Sequence, residues 1–526
     1  MCTFTGLYFL ISAIDTEFTG LQLDETTKAS LFDTSDERYV KLKKNVSEFT
    51  MSQIGISAFV NKESYRYEAH TFNFYLFPTA FGSFDVRFKC QASSLSFLCR
   101  YNFDFNKFVY DGVSYLNRDE ELKLKEHLAK NTMFSGLERE VDEEVLQKIC
   151  SDIAEWFVKS QVGEVFLIEL DQNTREIKDY VLHTEIRNRF PNVWTHKDQL
   201  GKFIVEHVSS KQRRELQDID SSNRLEQEEK LLQTMLGFTK VFRLLQDYNK
   251  IVVGHNMLTD LMLMFEKFHK PLPESFSEFK KEVHQILPRI YDTKHMSATI
   301  RKELEETGLL EYTSLQKLYQ AFSSDVGLQV VLFSPEIHHA AGCERYIKND
   351  VPHEAGFDAF MCGSVFLYIA HILSCRTIRS TEIQACSFTD YVPHLKRFLN
   401  KINIIRATIN HVTLDGNDPI SQRPQILFVR VRKNGFRLKS NQLAQWFSSY
   451  GTVDVKLQSN NTALVATGNF GCARQILRCF KGHDRIVVSK YNVWKHSRLV
   501  RAVLWSAVVL SSGICMVTLL SSLEPS

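Results

Sequence analysis

Apolar positions run almost unbroken through Tyr8–Leu21 (YFLISAIDTEFTGL) until Asp15 and Glu17, a pattern that predicts a buried central strand with carboxylates near its C-terminal end. Ser52–Val60 and Tyr67–Pro78 read as further strands, spaced by turn residues as in an antiparallel meander. From about Gly136 to Lys230 the chain changes character. It is acidic and helical around REVDEEVLQKICSDIAEWF, then polar and basic through KQRRELQDIDSSNRLEQEEK, which predicts an inserted helical module ending in an exposed linker helix. Strand and helix patterns then alternate: KIVVGHN (Lys250–Asn256), the amphipathic MLTDLMLMFEKFH, RIYDTKHM (Arg289–Met296) and a helix beginning near Glu354. That alternation predicts an α/β layer architecture.

After a junction near Ser387, the unit Pro424–Tyr491 reads strand, helix, strand, strand, helix, strand, the ferredoxin-like order used by RNA-recognition modules. Such modules stack bases on aromatics of their central strands. Here the first strand offers only Phe428 and the third, TALVATG, offers none. Arg430, Arg432, Lys433, Arg437 and Lys439 could meet phosphates, but a solvated edge or a partner-binding face explains them equally well. The platform is therefore expected to be degenerate.

Two long apolar stretches remain. Ala355–Cys375 is interrupted by Asp358 and His371, and a mid-membrane charge is expensive, so it is expected to be a core helix. Ala502–Leu523 carries no charge and follows Lys495, Arg498 and Arg501. It predicts a single C-terminal transmembrane anchor that leaves the body of the protein in the cytosol. The N-terminal apolar run lacks the basic lead-in of a secretory signal.

These elements divide 526 residues into a core made of residues 1–135 and 231–400, an insertion over 136–230, a ferredoxin-like unit over 401–494 and an anchor over 502–523. With 44% hydrophobic and 24% charged residues, disordered, collagenous and polytopic membrane classes are excluded. The formal charge of +2 supplies no global basic field, so any nucleic-acid contact must be local. Eleven cysteines without a Cys-x-x-Cys pair argue against structural zinc and for a reducing compartment.

The candidate chemistry lies in scattered acids. Asp15 and Glu17, two apart on a strand, point to one face, where side-by-side carboxylates call for compensating cations. Alone, this pair is common by chance. Asp260 opens a helix, where the macrodipole also explains it, and His353 alone reads as a loop histidine. Asp358, inside an apolar helix, has no such excuse. Together, four carboxylates and one imidazole match two-metal phosphodiester hydrolysis with a histidine base, and hard oxygen ligands suit Mg²⁺, with Mn²⁺ possible.

IDTEFTGL, VGHNMLTDLM and HEAGFDAFMCG resemble the three exonuclease motifs of the DEDD superfamily, histidine subclass, whose core is ribonuclease H-like. FNFYLFP, CQASSLSFL, FDFNKFVYDGVSYLN, PLPESFSEFK and LPRIYDTKHM resemble the poly(A)-specific ribonuclease family, over roughly Ile11 to Arg406. The hydrophobic tail is similar to that of the membrane-anchored branch, the poly(A)-specific ribonuclease-like domain-containing proteins, which includes the trimmer of PIWI-interacting RNA precursors. The resemblance implies metal ligation by Asp15, Glu17, Asp260 and Asp358, base catalysis by His353, and Asn256 and Lys294 near the substrate. It implies a 3′-to-5′ exoribonuclease releasing nucleoside 5′-monophosphates from single-stranded RNA with a free 3′ end. Implied partners are a PIWI protein and a Tudor-domain scaffold at a mitochondrial or endoplasmic-reticulum surface, with a homodimer plausible from the deadenylase. A messenger-RNA deadenylase and a catalytically inactive membrane-anchored adaptor are the competing expectations. Two departures stand out: about a dozen residues precede Asp15, where the family has a helix, and the insertion lacks an Arg-x3-His signature around Arg187 and Arg189.

Overall fold

A computed structural model describes residues 9–80, 85–130, 140–168, 176–198, 201–306, 314–324, 333–348, 351–377, 385–421, 423–432 and 436–521. Tyr8, Lys433 and the end of the expected anchor lie outside the described residues. The chain forms two compact units. The first comprises Met1–Leu21, Asn45–Pro273 and Val283–Leu399, and the second Gln22–Lys44, Glu274–Glu282 and Asn400–Ser526.

The first unit is built on strands β1 (Ile11–Phe18), β2 (Met51–Glu63) and β3 (Arg66–Tyr75), which pair antiparallel as the meander expected from the sequence. Next in the chain come three short strands of the insertion, β4 (Val165–Ile168), β5 (Val193–Lys197) and β6 (Phe203–His207). Then follow β7 (Ile251–Gly254), β8 (Ile290–Asp292) and β9 (Glu336–His339), which add parallel to the meander. The result is a mixed six-stranded sheet in the order β8-β7-β1-β2-β3-β9. With β1 between β7 and β2, its first half is buried on both faces, which is why its sequence is a continuous apolar run.

The helix Ala355–Thr377 packs against β1, β2 and β3. Over Ala355–Cys375 it is apolar and buried, the core helix expected from Asp358 and His371. The face of β2 beneath it is stripped of bulk. A Cβ on Gly55 would lie 1.9 Å from the Ala355 carbonyl oxygen, and one on Gly363 would lie 2.1 Å from the Phe59 ring. Glycine inside a strand here marks a close backbone approach. The first helical amides, which have no partner within the helix, are satisfied by the sheet: Ala355 N–H donates to Gln53 Oε1 at 2.9 Å and Gly356 N–H to Asn73 Oδ1 at 3.0 Å.

The insertion is not purely helical, which corrects the expectation. Helices Glu140–Lys159 and Glu176–Arg189 accompany a three-stranded antiparallel sheet, β4-β6-β5, around Ile153, Ile186, Val193 and Val205. Its strands are four or five residues long, too short to show a period of two. The linker helix Ser210–Leu236 is capped by Ser209 and Gln212, and its last turns pack Leu231, Leu232 and Met235 against Leu116 and Leu124.

The second unit contains the hairpin β10 (Lys401–Asn403) and β11 (His411–Thr413). It also holds β12 (Leu427–Val431), β13 (Val453–Ser459), β14 (Thr462–Thr467) and β15 (Ile486–Lys490), in the ferredoxin-like order β13-β14-β12-β15. Gln22–Lys44 and Glu274–Glu282 join this unit although sequence order puts them in the core. Tyr39 stacks on Phe276, Lys280 pairs with Asp418, and Leu31 N–H donates to Asp454. Phe428 is 9% exposed and lies flat under His496 with ring centroids 4.1 Å apart, so the one aromatic of β12 and β14 presents no open face. The last helix, Arg498–Ser521, leaves Trp505, Val509, Leu510 and Ile514 exposed.

Gly55→Ala should force the helix that carries Asp358 off the sheet, at a cost of about 3 kcal/mol, as for overpacking against rigid backbone. Urea unfolding measures this; a loss under about 0.5 kcal/mol would mean that the close approach does not constrain the fold.

Candidate active site

The site begins where β1 leaves the apolar core. Asp15 and Glu17 lie on one face and pair with Gly55 and Gln53 of β2. Those two β2 residues are the ones that admit and cap the Ala355 helix. The same contacts that seat the helix therefore set its first turn, with Asp358, over the two β1 carboxylates.

Asp358 also organises the residue expected to act as base. Its Oδ1 accepts the His353 N–H at 3.2 Å, which holds His353 in the left-handed region at φ +65°. His353 Nδ1 lies 3.9 Å from Asp358 Oδ2, and its ring sits against Tyr101 (centroids 4.1 Å apart) and Phe97 (4.8 Å). Glu17, His353 and Asp358 bring one ligand atom each within 4.8 Å of one another. The third stretch arrives on the helix Leu258–Met264, where Asp260 accepts a short hydrogen bond from the Thr16 hydroxyl.

The electrostatics record the convergence. Burial raises the Asp15 carboxyl well above its usual range, and Asp358, Asp260 and Glu17 push it further. Burial, then Asp358 and Asp260, lifts Glu17 to about 8. Burial lifts Asp358 to about 7 and Asp260 to about 6. Cys362, one turn beyond Asp358, is raised by burial and by the charges of Asp15, Asp358, Asp260 and Asp292 together. Four acids that repel one another in a desolvated pocket are an unmet demand for positive charge. Hard oxygen donors of this kind fit divalent cations such as Mg²⁺ or Mn²⁺. Burial lowers His353 below its ordinary value, which keeps its imidazole neutral at neutral pH.

Asn256 and Lys294, expected near substrate, flank the fully buried Asp292, whose carboxylate accepts the N–H groups of Asn256 (2.9 Å), Met257 (3.3 Å) and Lys294 (2.9 Å). This carboxylate pins the turn leading to Asp260, with Asn256 at φ +63°. Burial lowers the Lys294 ammonium and Asp292 opposes that shift. Sequence reasoning missed Asp292, Thr16, Gln53, Asn73, Phe97 and Tyr101. Only Gly55, a glycine within an apolar strand, carried a signal that pattern alone could have used.

The chain matches the family model described as CAF1 family ribonuclease over residues 11–366. It is 34% identical over 508 residues to the poly(A)-specific ribonuclease PNLDC1 of Pongo abelii, covering 96% of each chain. It is 31% identical to the pre-piRNA 3′-exonuclease trimmer of Bombyx mori, covering 96% of this chain and 93% of that one. To the poly(A)-specific ribonuclease PARN of Xenopus laevis it is 27% identical, covering 86% and 73%. With this family model spanning most of its length around a convergent acidic pocket, the chain belongs to the CAF1 family of ribonucleases.

Proposed function

We propose that this ribonuclease is a 3′-to-5′ exoribonuclease that trims single-stranded 3′ ends of PIWI-interacting RNA precursors. The observation that carries the reading is the pocket itself. Asp15, Glu17, Asp260 and Asp358 draw together from three stretches of chain, with a neutral imidazole at the rim. Similarity to a pre-piRNA trimmer across nearly the whole of both chains supports the substrate class.

Asp15, Glu17, Asp260 and Asp358 would hold a pair of Mg²⁺ or Mn²⁺ ions, which supply Lewis-acid stabilisation of the charge on the phosphoryl oxygens. His353 accepts a proton from the attacking water, a role suited to an imidazole kept neutral by burial. Asp358 positions it through the His353 N–H. The Phe97 and Tyr101 rings beside His353, each a little over a third exposed, offer faces on which a terminal base can stack. Weak intrinsic affinity suits an RNA end presented by a PIWI protein on a Tudor-domain scaffold. The covered Phe428 and the near-neutral charge both fit that arrangement.

A messenger-RNA deadenylase shares this chemistry and is favoured by the similarity to PARN. An inactive adaptor is disfavoured, because each of the five catalytic positions holds a competent residue.

The tail is a membrane anchor in this reading. Ala502–Leu523 is uncharged and follows Arg498 and Arg501, and within it Trp505, Val509, Leu510 and Ile514 expose apolar side chains that water would penalise. Its cytosolic body would then sit at the mitochondrial outer membrane or the endoplasmic reticulum.

Full-length protein should shorten 3′-extended mixed-sequence RNA and poly(A) at comparable rates in Mg²⁺ and neither in EDTA. Asp358→Ala should remove activity, and His353→Ala should lower kcat by about 10²–10⁴, the range of general-base catalysis. Shortening of poly(A) alone would identify a deadenylase, and wild-type rates in Asp358→Ala would refute the site. Truncation after Arg501 should move the protein from membrane to soluble fractions of expressing cells with nuclease activity retained. Persistence in the membrane fraction would contradict the anchor.

A further inference from the structure

A second ligand cluster lies at the opposite end of the helix that carries Asp358. His371 and Cys375 are four residues apart and so share one face of Ala355–Thr377. Cys386, just before the helix Phe388–Leu395, brings a second thiol to them, and the three side chains offer ligand atoms within 4.8 Å of one another. Thirteen residues separate His371 from Asp358 along the helix, about 20 Å at 1.5 Å per residue, so this cluster is not part of the nuclease pocket.

The geometry is that of a thiophilic site. Bonds of about 2.3 Å to sulfur and 2.0 Å to nitrogen at tetrahedral angles separate donor atoms by about 3.5–3.8 Å. Cys375 Sγ lies 3.5 Å from His371 Nε2, and the Cys375 and Cys386 thiols lie within 4.8 Å of one another. The other ring nitrogen, His371 Nδ1, is 3.1 Å from the hydroxyl of the fully buried Tyr391. A ligating histidine is ordinarily oriented by such an outer partner on its second nitrogen. The buried Tyr67 hydroxyl lies beside Tyr391 and Cys386, so the wall of the cluster is polar.

We propose that His371, Cys375 and Cys386 bind a zinc-class divalent cation, with a water in the fourth position. The ion clips the end of the Ala355–Thr377 helix to the Phe388–Leu395 helix. Its role is structural: it closes the chain between Cys375 and Cys386 and fixes the far end of the helix whose first turn carries Asp358. Soft thiolate ligands select zinc over the magnesium that the carboxylates would take.

The test uses full-length protein in detergent, reduced, stripped of metal and titrated anaerobically with Co²⁺ in excess Mg²⁺. Carboxylates give no thiolate-to-cobalt charge transfer, so that band reports cysteine ligation, and the Cys375→Ser variant assigns it to this cluster. One equivalent should develop the band, Zn²⁺ should abolish it, and Asp358→Ala should retain it. Cys375→Ser and His371→Gln should each weaken Co²⁺ binding by about tenfold or more, the scale on which even an outer-shell partner of a metal site matters. Retained thermal stabilisation by Mn²⁺ would show that each variant is folded. Absence of the charge-transfer band, or an undiminished band in folded Cys375→Ser, would overturn the proposal. So would a Cys375–Cys386 disulfide in freshly alkylated protein, which would make the pair a redox couple instead.

Discussion

The crowding of negative charge between strand β1 and the first turn of the Ala355 helix is the constraint on which the rest of the molecule depends. Folding places Asp15, Glu17, Asp260 and Asp358 in a pocket that raises each above its usual range, a free-energy penalty that bound cations would offset. Backbone geometry enforces the crowding. Gly55 removes the side chain that would hold the helix away, and Gln53 and Asn73 satisfy its first amides. Fold and site are thus one arrangement seen at two scales.

Seen in this light, the ends of the Ala355 helix do different work. Its N-terminus presents Asp358 and, through a backbone hydrogen bond, His353. Its middle fills the core with Phe360, Val365, Phe366 and Ile369. Its C-terminal end gathers His371 and Cys375 against Cys386. A long buried helix transmits position along its axis with little give, because close-packed interiors deform poorly. Anchoring its far end therefore bears on the precision of its near end.

The legibility of the chain follows from how local each signal is. Asp15 and Glu17 are legible as a same-face pair on an apolar strand but gain meaning only with Asp260 and Asp358, and the Ala355 helix is readable as core because Asp358 and His371 break its apolar run. Asp260 was ambiguous in pattern alone, since a helix start explains an acid equally well, and its assignment leaned on the motif resemblance. The strands of the insertion escaped because VFLI, VWTHK and FIVEH are too short to establish a period. The association of Gln22–Lys44 with the second unit rests on Tyr39 meeting Phe276, a contact across 237 positions that no local window contains. The juxtaposition of His371, Cys375 and Cys386 carries no Cys-x-x-Cys signature, because two of its members are four apart on a helix and the third lies beyond it.

The most direct test of the acidic pocket is calorimetric titration of metal-free protein with Mn²⁺ at pH 7, repeated in buffers of different ionisation enthalpy. Glu17, raised to about 8, and Asp358, raised to about 7, retain protons at that pH without metal and must give them up when a cation enters. The account predicts two ions bound in the pocket per chain, with net proton release that shrinks as pH rises above 8 and disappears with binding in Asp358→Ala. Binding without proton release, or unaltered binding in Asp358→Ala, would contradict it.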